Sequence, residues 1–158
     1  MRYICFILCL FCVPVKANNF GDMPLEQQYA MEYITALTKH DYKSLRYFYD
    51  RDTVFYDKTA NVTYTGRRHI LEFFSRAHAG VLEYSLDIEH MYNAGSLVVI
   101  IGNYRLRGPG EQFGKPGKII DIAVPGVTTL KFNMSKKRVE EHQDLMDYQT
   151  MADQLSTQ

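Results

Sequence analysis

Beyond residue 12 this sequence contains no cysteine; its three, Cys5, Cys9 and Cys12, all lie in the first dozen positions. A domain built from the rest of the chain therefore has no disulfide, no thiolate nucleophile and no cysteine-ligated metal. A basic surplus is also missing, since 18 Lys and Arg balance 18 Asp and Glu. That balance argues against nucleic acid or an anionic membrane surface as partner. Tyr3 to Val15 is an unbroken uncharged run rich in Ile, Leu, Phe and Cys, and it is shorter than the roughly 20 apolar residues a spanning helix needs.

That run is preceded by Arg2 and followed by Val15-Lys16-Ala17, with small residues where a signal peptidase reads. Residues 1–17 are expected to be a cleavable secretory signal, cut after Ala17, which makes the protein periplasmic or secreted with no membrane span afterwards. Two alternatives are a buried first helix, which Pro14 and Asn18-Asn19 interrupt, and a lipoprotein signal at Cys12, where bulky Phe11 is unfavourable. Cleavage removes Arg2 and Lys16, leaving 16 basic against 18 acidic residues and a net charge of −2. The remaining segment, 18–158, has the usual size of one domain.

Within that segment Asp22 is placed as an N-cap, and Ala30, Tyr33, Ile34 and Leu37 recur at helical spacing over residues 23–39. A shorter helix follows, capped by Asp41 and marked by Tyr42, Leu45 and Tyr49. Short strands are expected at 53–57 and 62–65, and a third helix from Gly66 to Gly80. The period then changes to two, with Leu82, Tyr84, Leu86, Ile88, His90 and Tyr92 assigned to one face. Further strands are expected at 97–106, at 118–132 with a bulge or bend at Pro125-Gly126, and at 138–148, followed by a short tail. The order implies an α+β fold, a curved antiparallel sheet with N-terminal helices laid across it, enclosing a pocket.

Several stretches taken together resemble a known superfamily. They are Glu32-Tyr33-Ile34-Thr35-Ala36-Leu37, Asp52-Thr53-Val54-Phe55-Tyr56-Asp57, Tyr64-Thr65-Gly66, Ile70-Leu71-Glu72-Phe73-Phe74, Leu130-Lys131-Phe132 and Val139-Glu140-Glu141-His142-Gln143-Asp144. In that order they resemble the nuclear transport factor 2-like superfamily, in its SnoaL-like and ketosteroid-isomerase-like branches. The resemblance implies a cone-shaped antiparallel sheet closed by helices around an apolar pocket. It also implies an oxyanion-hole role for Tyr33 and a general-base role for Asp57. From the cyclase branch it implies acid–base work by the acidic residue of the last strand, Asp144. Two positions depart from the pattern: Thr128 stands where the isomerases carry a protonated acid, and Gln143 where the cyclases carry tryptophan.

The residues themselves leave alternatives open. His142 and Asp144 are two apart in a strand and share a face, so they form either an acid–base pair or a polar pair on a wet sheet face. Asp57 shares a face with Phe55 and is either a buried base or a turn aspartate beside Lys58. Tyr33 is either an oxyanion donor or simple core packing. His90 is read on an apolar face, and His40, His69 and His78 at helix ends or on the surface. No histidine spacing points to a metal, and no cofactor is expected.

The expected function is an exported pocket protein for a small, largely apolar carbonyl compound. Proton transfer of isomerase, cyclase or dehydratase type would use Asp57 or Asp144 as base, with Tyr33 as donor and His142 paired to Asp144. The alternatives are a non-catalytic binder in the same pocket and a homodimeric interaction module. A homodimer through the sheet is expected because 97–106 is apolar on both faces in its first half.

Overall fold

The computed structural model describes residues 23–158; the signal segment and the Asp22 cap fall outside the described residues. The order of elements is α1 (Leu25–Thr38), α2 (Tyr42–Phe48), β1 (Val54–Asp57), β2 (Val62–Thr65), α3 (Arg67–Ala77), β3 (Glu83–Ala94), β4 (Leu97–Pro109), β5 (Ile119–Asn133), β6 (Arg138–Met146) and α4 (Tyr148–Ser156). A short 3-10 helix, Glu111–Phe113, sits in the glycine-rich connection between β4 and β5. The six strands form one curved sheet in the order β2-β1-β6-β5-β4-β3.

The α+β architecture and the helix-covered, curved sheet are as expected, with one change in strand direction. β1 runs parallel to β6, pairing Val54 to Asp57 with Glu141 to Asp144, so the sheet is mixed rather than wholly antiparallel. The parallel pairing follows from β6 being the last strand. It returns beside β1 with the intervening helices and strands acting as a long crossover.

α1 buries Ala30, Tyr33, Ile34, Ala36 and Leu37, as its spacing predicts. α2 is capped by the Asp41 side chain, which accepts from the Ser44 amide at 3.0 Å. With Phe55, Ile70, Phe74, Val98, Ile100, Leu130 and Val139 these helices make the main core against the concave face of the sheet. A second, smaller core forms at the other end, where Ile120, Ile122 and Val124 of β5 meet Met151 and Leu155 of α4.

The sheet bends along a row that runs through Ile88, Gly102 and Gly126, which are successive cross-strand partners. β3 carries its bulge here, between Ile88 and His90. A Cβ on Gly102 would stand 2.3 Å from the Asp87 carbonyl oxygen, so only glycine allows the strands this approach. The bulge also reverses the facing of the end of β3. His90 and Tyr92, assigned to the apolar face, are exposed, and Met91 turns inward instead. β5 runs without a register break through Pro125-Gly126, so of the bulge or bend expected there the bulge is absent. Pro125 directs its missing N–H to the side where β6 has already ended, so no ladder bond is lost; its carbonyl accepts from Asp147 N at 2.8 Å.

The C-terminal tail is a helix. Asp147 caps α4 by accepting from the Thr150 amide at 2.9 Å, and Tyr148, Met151 and Leu155 recur on the inward stripe. An aspartate followed by apolar residues at three- and four-residue spacing was a legible signal of this helix.

Candidate functional site

Between the two cores lies a cavity of about 170 Å³. Its wall takes Phe55 and Asp57 from β1, Phe74 and His78 from the end of α3, and Tyr84 and Tyr104 from β3 and β4. Val124 of β5, Asp144 and Met146 of β6, and Tyr148 and Met151 of α4 complete it. A larger open groove, about 600 Å³, runs along α1 and α2 past Met31 and Tyr47, but none of the predicted site residues borders it.

Of the four predicted residues, three form one connected chain. The Tyr33 hydroxyl lies 2.6 Å from the Tyr49 hydroxyl and 2.7 Å from His142 Nδ1. On the other side of the ring, His142 Nε2 lies 3.0 Å from Asp144 Oδ1. A carboxylate can only accept, so Nε2 carries the proton, Nδ1 accepts from Tyr33, and Tyr33 accepts from Tyr49. Burial pushes the Tyr33 and Tyr49 phenols well above their usual range, which keeps both as donors. His142 has no exposure and is held between Phe55, at 4.8 Å between ring centres, and Tyr33, at 5.4 Å.

A second branch reaches the same oxygen. Thr128 donates to Asp144 Oδ1 at 2.5 Å, and the Tyr104 hydroxyl lies 2.5 Å from the Thr128 hydroxyl. Thr128 thus takes the place of a protonated acid with a hydroxyl that orients Asp144. Both branches end on Oδ1, and Oδ2 makes no hydrogen bond among the described residues. That oxygen is the open acceptor of the site.

Asp57 is both buried and a turn aspartate. Oδ1 accepts from the Ala60 amide at 2.9 Å and holds the β1–β2 turn, while Oδ2 accepts from the Tyr148 hydroxyl. It is 7% exposed, and its neighbour across the parallel pairing is Asp144. Two carboxylates therefore border one cavity from adjacent strands. Tyr33 does not border it: its hydroxyl is committed to Tyr49 and His142, so it orients the imidazole and cannot reach a ligand's oxygen. Tyr84 lines the cavity and its hydroxyl makes no hydrogen bond among the described residues. Burial, with the Asp144 charge adding to it, raises its pKa and keeps it protonated.

His40 and His78 stand at helix ends, as expected, but His40 is half-buried and His78 buried. His78 is 9% exposed and lines the cavity. Its ring stacks on His40 at 4.6 Å and meets Tyr84 at 4.6 Å, and its Nδ1 lies 3.3 Å from the Tyr42 hydroxyl. Burial pushes the His78 imidazole down to about 4, and burial lowers His40 as well. The helix period places residue 78 one turn past Phe74 on the same inward face, a signal that Gly80 as a terminator obscured. His69 is exposed, as expected. Tyr49, Tyr104 and Tyr148 were missed as site residues because their contacts join distant segments. Among the described residues no group of three or more acidic or histidine side chains forms a metal site. No helix among them is long and apolar enough to cross a membrane.

The family model of the SnoaL-like domain matches residues 30–142. The chain belongs to the SnoaL-like family. A candidate SnoaL-like polyketide cyclase from Shewanella putrefaciens CN-32 is 66% identical, with a TM-score of 0.86 over 87% of this chain and 100% of that one. A second, from Shewanella denitrificans OS-217, is 65% identical, with a TM-score of 0.84 over 85% of this chain and 99% of that one. A Catenulispora acidiphila protein with a ketosteroid isomerase-like fold, solved with trimethylamine, is 22% identical and shares the fold, with a TM-score of 0.67 over 80% and 91% of the two chains. No curated protein matches the chain. These neighbours put this SnoaL-like domain in the nuclear transport factor 2-like superfamily, with a small-molecule isomerase- or cyclase-type fold.

Proposed function

We propose that this SnoaL-like protein is an exported enzyme that moves a proton on a small carbonyl compound, with Asp144 as general base. The observation that carries this reading is the arrangement of Asp144. One oxygen is oriented by His142 and Thr128, and the other is left open at an aromatic cavity. A base so placed needs no reorganisation before it takes a proton from carbon or oxygen. The Tyr49–Tyr33–His142 chain holds the acceptor in place, and Tyr84 is the phenol available to a developing oxyanion. A cavity of about 170 Å³ lies below the usual range of roughly 300–1,000 Å³ for drug-sized ligands. The substrate is therefore a single-ring or short-chain compound rather than a multi-ring one.

The outer sheet face supports a second element of the proposal, a homodimer. Ile101, Val127 and Leu145 are successive cross-strand neighbours, an apolar row across three strands, and Tyr92 with its partner Val99 lies in the adjacent row. Tyr92 and Leu145 are 55% and 58% exposed.

The test is turnover and ligand binding by wild type and Asp144→Asn. The variant keeps shape and should retain binding while losing on the order of 10²–10⁴ in rate. Equal turnover by both proteins would remove Asp144 from the role of base. Binding without turnover in wild type as well would make the protein a carrier of that compound.

A further inference from the structure

The cavity is unusual in its balance of charge. Two carboxylates, Asp57 and Asp144, border it from adjacent strands, which lie about 4.8 Å apart in any sheet. Among the described residues no lysine or arginine lines it. Two carboxylates bordering one enclosure favour a cation that enters between them.

An independent feature lies at the end of α3. His78 is 9% exposed, and its Nδ1 faces the Tyr42 hydroxyl. Tyr42 donates to the Phe74 carbonyl at 3.2 Å, so its oxygen accepts and His78 Nδ1 donates. His78 Nε2 is then a bare acceptor with no partner among the described residues, on a ring that borders the cavity. Burial keeps this ring uncharged near neutral pH, since its pKa lies at about 4. The open atoms Asp144 Oδ2 and His78 Nε2 are thus acceptors. Phe74, Tyr84 and Tyr104 line the same cavity, and aromatic rings attract cations over their faces.

We propose that this cavity selects a small protonated amine, whose ammonium group sits between Asp57 and Asp144 and donates toward His78. The inference rests on reading this cavity as the ligand site and names the class of compound that enters it. Desolvation of the ammonium is offset by two carboxylates and the aromatic rings, whereas a neutral ketone has only the Tyr84 hydroxyl to pair with and leaves the carboxylates unpartnered. A carboxylate ligand would be repelled outright.

The experiment is calorimetric titration of the full mature chain at neutral pH with four ring-matched probes: cyclohexylamine, cyclohexanol, cyclohexanone and cyclohexanecarboxylate. The amine should bind on the order of tenfold tighter than the alcohol and the ketone, and the carboxylate should not bind. Asp57→Asn should abolish the preference, and His78→Phe should weaken the amine several-fold while sparing the ketone. The exposed Glu83→Gln should change nothing. The wild-type panel decides the matter even if a variant fails to fold. A ketone bound as tightly as the amine, or an amine that does not bind at millimolar concentration, overturns the inference. So does an unchanged amine affinity in a folded Asp57→Asn. Turnover of an amine-free compound that is lost in Asp144→Asn would overturn this inference and leave the proposed function standing.

Discussion

Asp57 and Asp144 are direct cross-strand partners in the parallel pairing of β1 with β6, and both border the same cavity. They are 87 positions apart in the chain, and each is oriented by a different set of donors. Asp144 is aimed by His142 and Thr128. Asp57 is held by a turn amide and a phenol from the last helix. The two carboxylates therefore share one cavity with unequal freedom, and the predictions below follow from what holds each.

Tyr33 acts through His142. Tyr33→Phe leaves a buried imidazole nitrogen without its donor, and should cost about 1–3 kcal/mol of stability. It should also lower the rate by less than Asp144→Asn does. A purely structural role would leave the imidazole tautomer unchanged. The ¹⁵N shifts of His142 should show a proton on Nε2 in wild type and a mixture of tautomers in the variant.

His78 makes stability depend on pH. Its folded pKa is depressed to about 4 by burial, while an unfolded histidine titrates near 6.5. Between those values the unfolded chain binds the extra proton, so stability falls as pH falls from 6.5 to 4 and levels off below. The loss from this group is on the order of 3 kcal/mol, and His40, also lowered, adds to it in the same direction. Urea denaturation across this range should show the slope, and His78→Phe should flatten most of it. An equal slope in the variant would assign the effect elsewhere.

Gly102 allows the sheet to bend. Gly102→Ala forces a methyl to 2.3 Å from the Asp87 carbonyl oxygen, a backbone atom that cannot rotate away, and should cost about 2–3 kcal/mol. Gly95 has open space around it but a φ of 56°, so Gly95→Ala should cost only the left-handed penalty of about 1 kcal/mol. Chemical denaturation of the two variants should rank them in that order.

The proposed export and dimer are checked on the native product. Intact mass should correspond to a chain starting at Asn18, unchanged by reduction and alkylation. Sedimentation at micromolar protein should give a dimer, and Leu145→Lys on the outer face should shift it to monomer. A monomer in the wild type would refute the sheet-mediated dimer.

The sequence alone determined which residues turn inward wherever local spacing decides the matter. The stripe of Ala30, Tyr33, Ile34 and Leu37, the Asp41 cap and the shared face of Phe55 with Asp57 follow from helix and strand periods. The same reasoning put His142 and Asp144 on one face, and the α+β order followed from the succession of periods. It failed at the end of β3, because a bulge shifts the alternation by one residue and carries no composition of its own. It failed at residues 148–156, where the Asp147 cap was passed over. Only the tertiary structure decided the site. β6 sets Asp144 beside Asp57, α4 brings Tyr148 to Asp57, and the fold points Tyr33 at His142 instead of at a ligand. Each of these relations joins segments far apart in the chain, and a local period contains no information about which distant strand becomes its neighbour.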